Sequence, residues 1–375
     1  MKVDIEERVL HFKQPAGTSR GVYTDRRIWL LRASDGFAVG TGECAPLPDL
    51  SCDALPPEQY VKVLRRFCDE VERRWNTGGQ SLCHSLYCSH EGQSPSDPDL
   101  RDYPSMLFGL ETALLSLERA IAPETTAEQD SSLFTLHSSL FDTPFSRGEV
   151  GIPINGLVWM GTFEEMSQRI EQKLAQGFRC VKLKIGAINF DDELSLLKQI
   201  RRRFGPSDVE LRVDANGAFA PDEALGKLEQ LSHYALHSIE QPIRAGQWEQ
   251  MAALCRQSPL PIALDEELIG INAPDRKREL LDTIRPAYII LKPSLHGGMA
   301  GCREWIAEAR DRAIGSWITS ALESNVGLNA IAQFCSDVYG DHILMPQGLG
   351  TGQLFTDNID MGLEIRGDKL WRLRN

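Results

Sequence analysis

Lys184, Asp214, Glu240, Asp265 and Lys292 each close a short apolar run: V-K-L-K-I-G, L-R-V-D-A-N, S-I-E-Q-P, I-A-L-D-E and I-I-L-K-P. The steps between them (184 to 214, 214 to 240, 240 to 265, 265 to 292) are 30, 26, 25 and 27 residues. A strand, a helix and two short loops fill about that length in a β/α unit. The spacing therefore predicts one ionisable group at the same end of each of five consecutive strands, where a β/α barrel gathers its catalytic residues. Asp214, Glu240 and Asp265 would form a hard, oxygen-rich site suited to Mg²⁺, with Mn²⁺ as a substitute, and the cation would relieve their mutual repulsion. Lys184 and Lys292 flank this trio. A lysine acts as a base only when neutral, so its pKa must fall from about 10.4 toward about 7 or 8, and a dication and a second ammonium both push that way. The chemistry predicted is proton abstraction next to a carboxylate, with the dication and Lys182 placed to stabilise the developing charge.

Side chains alternate along a strand, so Lys182 and Lys184 share a face, as do Arg212, Asp214 and Asn216; in a barrel that face is the interior. Each residue alone has a plainer reading. A K-x-K pair is commonly a solvated edge, and a strand-end Asp commonly caps the next helix. Arg212 is read as neutralising the acidic cluster rather than contacting substrate. Glu266 is placed behind the metal site, hydrogen-bonded to a lysine, with Asn216 also in this supporting layer; Glu267 is read as surface and His296 as a loop residue. The regular spacing of the five charged positions is what sets the plainer readings aside as a group.

The elements that must position them follow from periodicity. Residues 3–12, 28–32 and 37–42 read as strands separated by turn residues, notably Ser34-Asp35-Gly36. Residues 57–75 and 106–121 carry apolar positions at helical spacing. From Gly151 onward, strands and helices alternate, with strands expected at 153–159, 180–185, 210–216, 238–242, 261–266, 288–293, 315–320 and 342–347, and helices between them such as 162–176, 191–203 and 301–312. Eight strands close a parallel barrel. The expected organisation is an α+β domain over 1–150, a barrel over 151–348, and a segment, 349–375, returning to the first domain, with a helical extension of the barrel as the alternative for that tail.

A chain of 375 residues, 42% hydrophobic and 25% charged, accommodates one barrel plus a smaller domain. Its formal charge of −13 argues against nucleic acid or an anionic membrane as a general partner. No signal-peptide core stands near the start and no 18-residue apolar span occurs. Nine cysteines, an odd number, suit a reducing compartment, so a cytoplasmic protein acting on a small-molecule carboxylate is expected, its oligomeric state left open. Cys83, His84, Cys88 and His90 match no closed zinc pattern and lie in a polar stretch that reads as a solvated loop, with zinc binding as the alternative.

These motifs resemble the enolase superfamily, specifically its muconate lactonizing enzyme subgroup, across nearly the whole chain. That resemblance implies an α/β fold, a (β/α)₇β barrel with an N-terminal α+β capping domain. It also implies Lys-x-Lys at 182 and 184, metal ligands at Asp214, Glu240 and Asp265, and a sixth-strand lysine at 292. Two further stretches, G-E-C-A-P-L-P from Gly42 and T-S-A-L-E-S-N-V-G-L from Thr319, resemble the o-succinylbenzoate synthase family, a dehydratase family of menaquinone biosynthesis. The resemblance implies that Lys182 contacts substrate, that Ser320 and backbone groups near Gly348 and Gly350 receive a succinyl carboxylate, and that the loop from Pro15 to Tyr23 closes over it. N-acylamino acid racemases and dipeptide epimerases of the same superfamily are the alternative, although M-P-Q-G-L-G-T-G-Q lacks the paired acids expected of the epimerases.

Overall fold

The computed structural model describes residues 1–18, 21–78, 86, 99–122, 139–159, 161–186 and 188–373. Cys83, His84, Cys88, His90 and the tip of the Pro15 to Tyr23 loop lie outside the described residues.

The chain opens with an antiparallel meander of β1 (Lys2–Thr18), β2 (Gly21–Ser34) and β3 (Val39–Cys44). The β2–β3 turn is set by Asp35, whose Oδ1 accepts from the N–H groups of Phe37 and Ala38 at 2.9 and 2.8 Å, an Asx-type turn. Two helices cover one face, α1 (Pro57–Gly78) and α2 (Pro104–Ile121). The first buries Tyr60, Leu64, Phe67, Cys68 and Val71, its one apolar stripe, in a core shared with Val3, Trp29 and Leu31. The second is buried on nearly every side because β3 presses on it closely. A Cβ at Gly42 would fall 2.0 Å from the carbonyl oxygen of Gly109, so only glycine permits that approach.

After β4 (Ile152–Pro153), the barrel runs through β5 (Gly156–Val158), β6 (Cys180–Lys184), β7 (Glu210–Asp214), β8 (Ser238–Glu240), β9 (Ile262–Leu264), β10 (Tyr288–Leu291) and β11 (Gly315–Ile318), seven parallel strands paired in chain order. A helix follows each: α3 (Phe163–Ala175), α4 (Phe190–Arg203), α5 (Pro221–Ser232), α6 (Trp248–Gln257), α7 (Pro274–Ile284), α8 (Gly298–Asp311) and α9 (Asn325–Tyr339). The fold is a (β/α)₇β barrel with an N-terminal α+β domain. The strand expected at 342–347 is the exception. Only Gln347 and Gly348 pair, with Ile154 and Thr319 respectively. Pro346 has no N–H to give a ladder, and the side chain of Gln347 stands in for backbone by accepting from the Ile318 N–H at 2.7 Å.

The tail divides. Leu354 and Thr356 hydrogen-bond to the backbone of Lys13 and His11 in the first sheet, whereas β12 (Leu363–Arg366) and β13 (Lys369–Arg372) form a hairpin that pairs with β4. No described helix is long and apolar enough to cross a membrane.

Two buried carboxylates join the N-terminal layer to the barrel. Glu111 of α2 accepts from the N–H groups of Met299 and Ala300, at 2.6 and 3.1 Å, in the first turn of α8. Glu43 of β3 accepts from the N–H groups of Ser324 and Gly327, both at 2.8 Å, at the start of α9. Each supplies an acceptor and a negative charge to a helix end that needs both. Burial pushes Glu111 up to about 7 and Glu43 up to about 6.

A carboxyl that is harder to ionise in the fold than in the unfolded chain costs stability as pH rises from its ordinary value of 4.5 toward about 7, and no more above that. Glu111→Gln carries no such charge. Between pH 4 and 8 the variant should therefore gain about 3 kcal/mol relative to the unmodified protein, on top of any constant loss, in urea unfolding at the two pH values.

Candidate active site

Lys184, Asp214 and Glu240 are the last residues of β6, β7 and β8, and the register sets Lys184 beside Asp214 and Asp214 beside Glu240. Asp265 and Lys292 directly follow β9 and β10. All five meet at the C-terminal mouth, and the three carboxylates are almost wholly buried. Their charge is answered by ammonium groups. Lys182 contacts Asp214 Oδ2 at 2.9 Å and Glu240 Oε2; Lys184 contacts Asp214 Oδ2 at 2.9 Å; Lys292 contacts Asp265 Oδ2.

Burial and ion pairing oppose one another here. Burial pushes Asp214 and Asp265 up, but Lys182 and Lys184 hold Asp214, and Lys292 holds Asp265, below the ordinary carboxylate range. Glu240 is pushed well up by burial and by the charge of Asp214. Burial pushes Lys182 and Lys292 down, yet the carboxylates outweigh it, Asp214 and Glu240 for the first, Asp265 and Glu240 for the second. The lowered pKa expected of Lys292 from sequence is thus reversed, because its ammonium sits against buried carboxylates. A dication among those carboxylates would remove the cause.

Of the supporting residues, Arg212 and Glu267 are arranged otherwise than the sequence suggests. Glu266 is linked to Lys184 through Asn216: its Oε1 accepts from Asn216 Nδ2 at 2.9 Å, and Asn216 Oδ1 accepts from Lys184 Nζ at 2.7 Å. Asn216 adopts the left-handed region at φ 44°, which ends the strand and turns its amide back on Lys184. Arg212 does not neutralise the carboxylate trio. It lies deeper in the barrel, bonded to Glu210 and the Pro346 carbonyl and stacked on Trp317 at 4.6 Å. Glu267 is buried rather than at the surface, held by Gln241 Nε2 and the Gly246 N–H. His296 is also buried; its Nδ1 accepts from the Lys292 N–H at 2.9 Å, and burial pushes its pKa down to about 3.

Lys182, Lys184 and Lys292 open on a cavity whose walls include Tyr23, Leu47, Trp159, Thr319, Leu322 and Thr351. Ser320 and Gly350 line it as well. Gly348 lines it too, but its N–H is taken by the Ile318 carbonyl and its own carbonyl by the Ser320 N–H, so its backbone serves closure of the barrel. Trp159 directly follows β5, the same strand-end place that the charged residues hold on the later strands, but it carries no charge to mark it. Its ring lies 6.0 Å from Lys184 Nζ. Gln241 carried no sequence signal. It is fully buried and ties two segments, giving to Ile243 and Glu267 and accepting from the N–H groups of Asp265 and Glu267.

Among the described residues, no three His, Cys, Asp or Glu side chains stand together as a ready ligand set. The donor chemistry nevertheless fits a hard cation: the three are all carboxylates, and Glu240 Oε1 and Asp265 Oδ1 are buried without a hydrogen-bond partner.

The family model for the enolase C-terminal domain-like group matches residues 165–358. The o-succinylbenzoate synthase of Desulfotalea psychrophila is 46% identical over 99% of this chain and 98% of its own. The crystal structure of MenC from the same organism matches at a TM-score of 0.78 and 42% identity, covering 99% of each chain. The L-Ala-D/L-Glu epimerase of Bacillus subtilis is more distant, 25% identical over 84% of this chain and 79% of its own. Muconate lactonizing enzyme from Pseudomonas putida shares the fold at a TM-score of 0.72 and 18% identity, covering 99% of this chain and 93% of its own.

A Cβ at Gly348 would lie 1.9 Å from Thr319 Oγ1, on the seam that closes the barrel. Gly348→Ala should therefore destabilise the fold by about 1–3 kcal/mol, seen as a lower thermal unfolding midpoint.

Proposed function

The chain belongs to the enolase superfamily, within its o-succinylbenzoate synthase family, and on that premise we propose that the barrel mouth carries out Mg²⁺-dependent syn-dehydration of 2-succinyl-6-hydroxy-2,4-cyclohexadiene-1-carboxylate to o-succinylbenzoate, a step of menaquinone biosynthesis. The observation that carries this reading is that Lys184 and Lys292, from strands four places apart, both face one cavity while anchored to different carboxylates, Asp214 and Asp265.

Asp214, Glu240 and Asp265 would hold the Mg²⁺, or Mn²⁺ in its place, which supplies a Lewis acid for the substrate carboxylate. Lys184, once neutral, removes the proton next to that carboxylate. The pair left behind enters the ring as the C–O bond of the 6-hydroxyl breaks, and Lys184, now the conjugate acid, delivers its proton to that oxygen on the same face, so that water leaves and the lysine is regenerated. One group thus serves as base and then acid. Asn216, itself braced by Glu266, aims the Lys184 amine, and Trp159 keeps water from one side of it. Lys292 remains charged and lies toward the ring, where an ammonium favours the electron-rich intermediate. Lys182 offers positive charge to the substrate carboxylate. Ser320, with Thr351 bonded to its hydroxyl, and the backbone near Gly350 receive the succinyl end.

The same lysine pair would suit racemisation of an acylated amino acid, in which both act on opposite faces. Exchange of deuterium into both enantiomers of such a substrate would favour that reaction.

Lys184→Ala should lower turnover of the cyclohexadiene carboxylate, followed by absorbance, by at least about 10³-fold, with the circular dichroism spectrum retained; near-normal turnover would remove Lys184 from its role. EDTA should abolish turnover and Mg²⁺ restore it, and calorimetric Mg²⁺ binding should be lost in Asp214→Asn independently of any activity.

A further inference from the structure

Arg26, on β2, is among the most thoroughly buried cations of the chain, and its partners are backbone carbonyls from two distant segments. Nε gives to the Leu322 carbonyl at 3.2 Å and Nη2 reaches that of Ala321 at 3.5 Å; Nη1 gives to the Pro46 carbonyl, and Nη2 also to that of Ala45. One guanidinium therefore staples the turn after β3 to the turn after β11. Both turns continue directly into the cavity wall: Leu47 follows the first pair, and Ala321 and Leu322 are themselves lining residues, next to Ser320.

We propose that Arg26 is a positioning residue that fixes this wall, and with it the grip of the site on its substrate, an inference that rests on the dehydratase reading above. A buried cation is tolerated here because Glu323 and Glu43 lie close enough to offset its charge. Glu323 extends the staple. It accepts from the Ala321 N–H at 2.6 Å and from the hydroxyl of Ser294, two residues beyond Lys292. The wall and the loop that carries Lys292 are thus held to one frame. The flat fork of a guanidinium directs several donors outward at fixed angles, whereas a lysine has a single nitrogen and cannot reach both turns at once. Arg26 bonds the two wall turns and does not touch the reacting atoms, so its loss should loosen substrate binding and leave the chemical step alone.

The test is steady-state turnover of the cyclohexadiene carboxylate by Arg26→Lys and Arg26→Met in the full chain with Mg²⁺. KM should rise roughly tenfold or more, with kcat changed by no more than about twofold, as expected for lost uniform binding. An unchanged KM in a folded variant, or a fall in kcat alone, overturns the proposal. If the unmodified protein fails to turn over this substrate, the dehydratase reading itself fails and the proposal falls with it, a result distinct from normal turnover with unaffected variants. Should both variants fail to fold, hydrogen exchange of the unmodified protein decides: the amides of Ala45, Leu47 and 321–323 should open as one unit, with opening free energies that agree, and segments that open independently overturn the staple.

Discussion

Burying three carboxylates and three ammonium groups in one barrel mouth is the constraint on which the rest of the structure turns. Any one of these charges alone would be costly to remove from water, and removing one partner would strand another. The register of β6, β7 and β8 answers this by setting Lys184, Asp214 and Glu240 level with one another, so that Lys182 and Lys184 share the Asp214 oxygen. Such a network adds little net stability. Its value lies in a poised site: two carboxylate oxygens stand without partners and three ammonium groups face a cavity.

The left-handed residues just past the strand ends serve the same end. Asn216 and Gln241, at φ 44° and 41°, stop their strands and turn their amides inward, the first onto Lys184 and the second under Asp265 and Glu267. A strained backbone conformation is retained where it aims a functional side chain. The irregular eighth position of the barrel is comparable. There the Pro346 to Gly350 run closes the sheet with a few bonds, and Ser320 and Thr351 face the cavity.

The N-terminal layer completes a site that the barrel alone leaves open on one side. Tyr23 and Leu47 are part of the cavity wall, and Glu43, Glu111 and Arg26 lock their layer to α9, α8 and the turn after β11. These interdomain contacts are polar and buried, which favours one docking geometry over many. Aromatisation in the proposed reaction supplies the thermodynamic driving force, so the protein's task is to lower the barrier to proton removal, with the ring held against the lysines.

The charged set at 184, 214, 240, 265 and 292 was legible in the sequence because one residue recurs per β/α unit and strand-end position fixes direction. The order of strands and helices was legible from periodicity for the same local reason. What lay beyond reach was every role set by a partner remote in sequence. Arg212 reads as a counterion to Asp214 two residues on, but Pro346 and Trp317 draw it deeper into the barrel. Glu267 reads as a surface acid, until Gln241 and Gly246 bury it. Arg26 has no local signal, since its partners are carbonyls, which every residue type carries. Local sequence determines which groups are available and which way a strand points them; only the packed tertiary structure decides which charge each one meets, because desolvation and pairing depend on neighbours that the chain brings together from hundreds of residues apart.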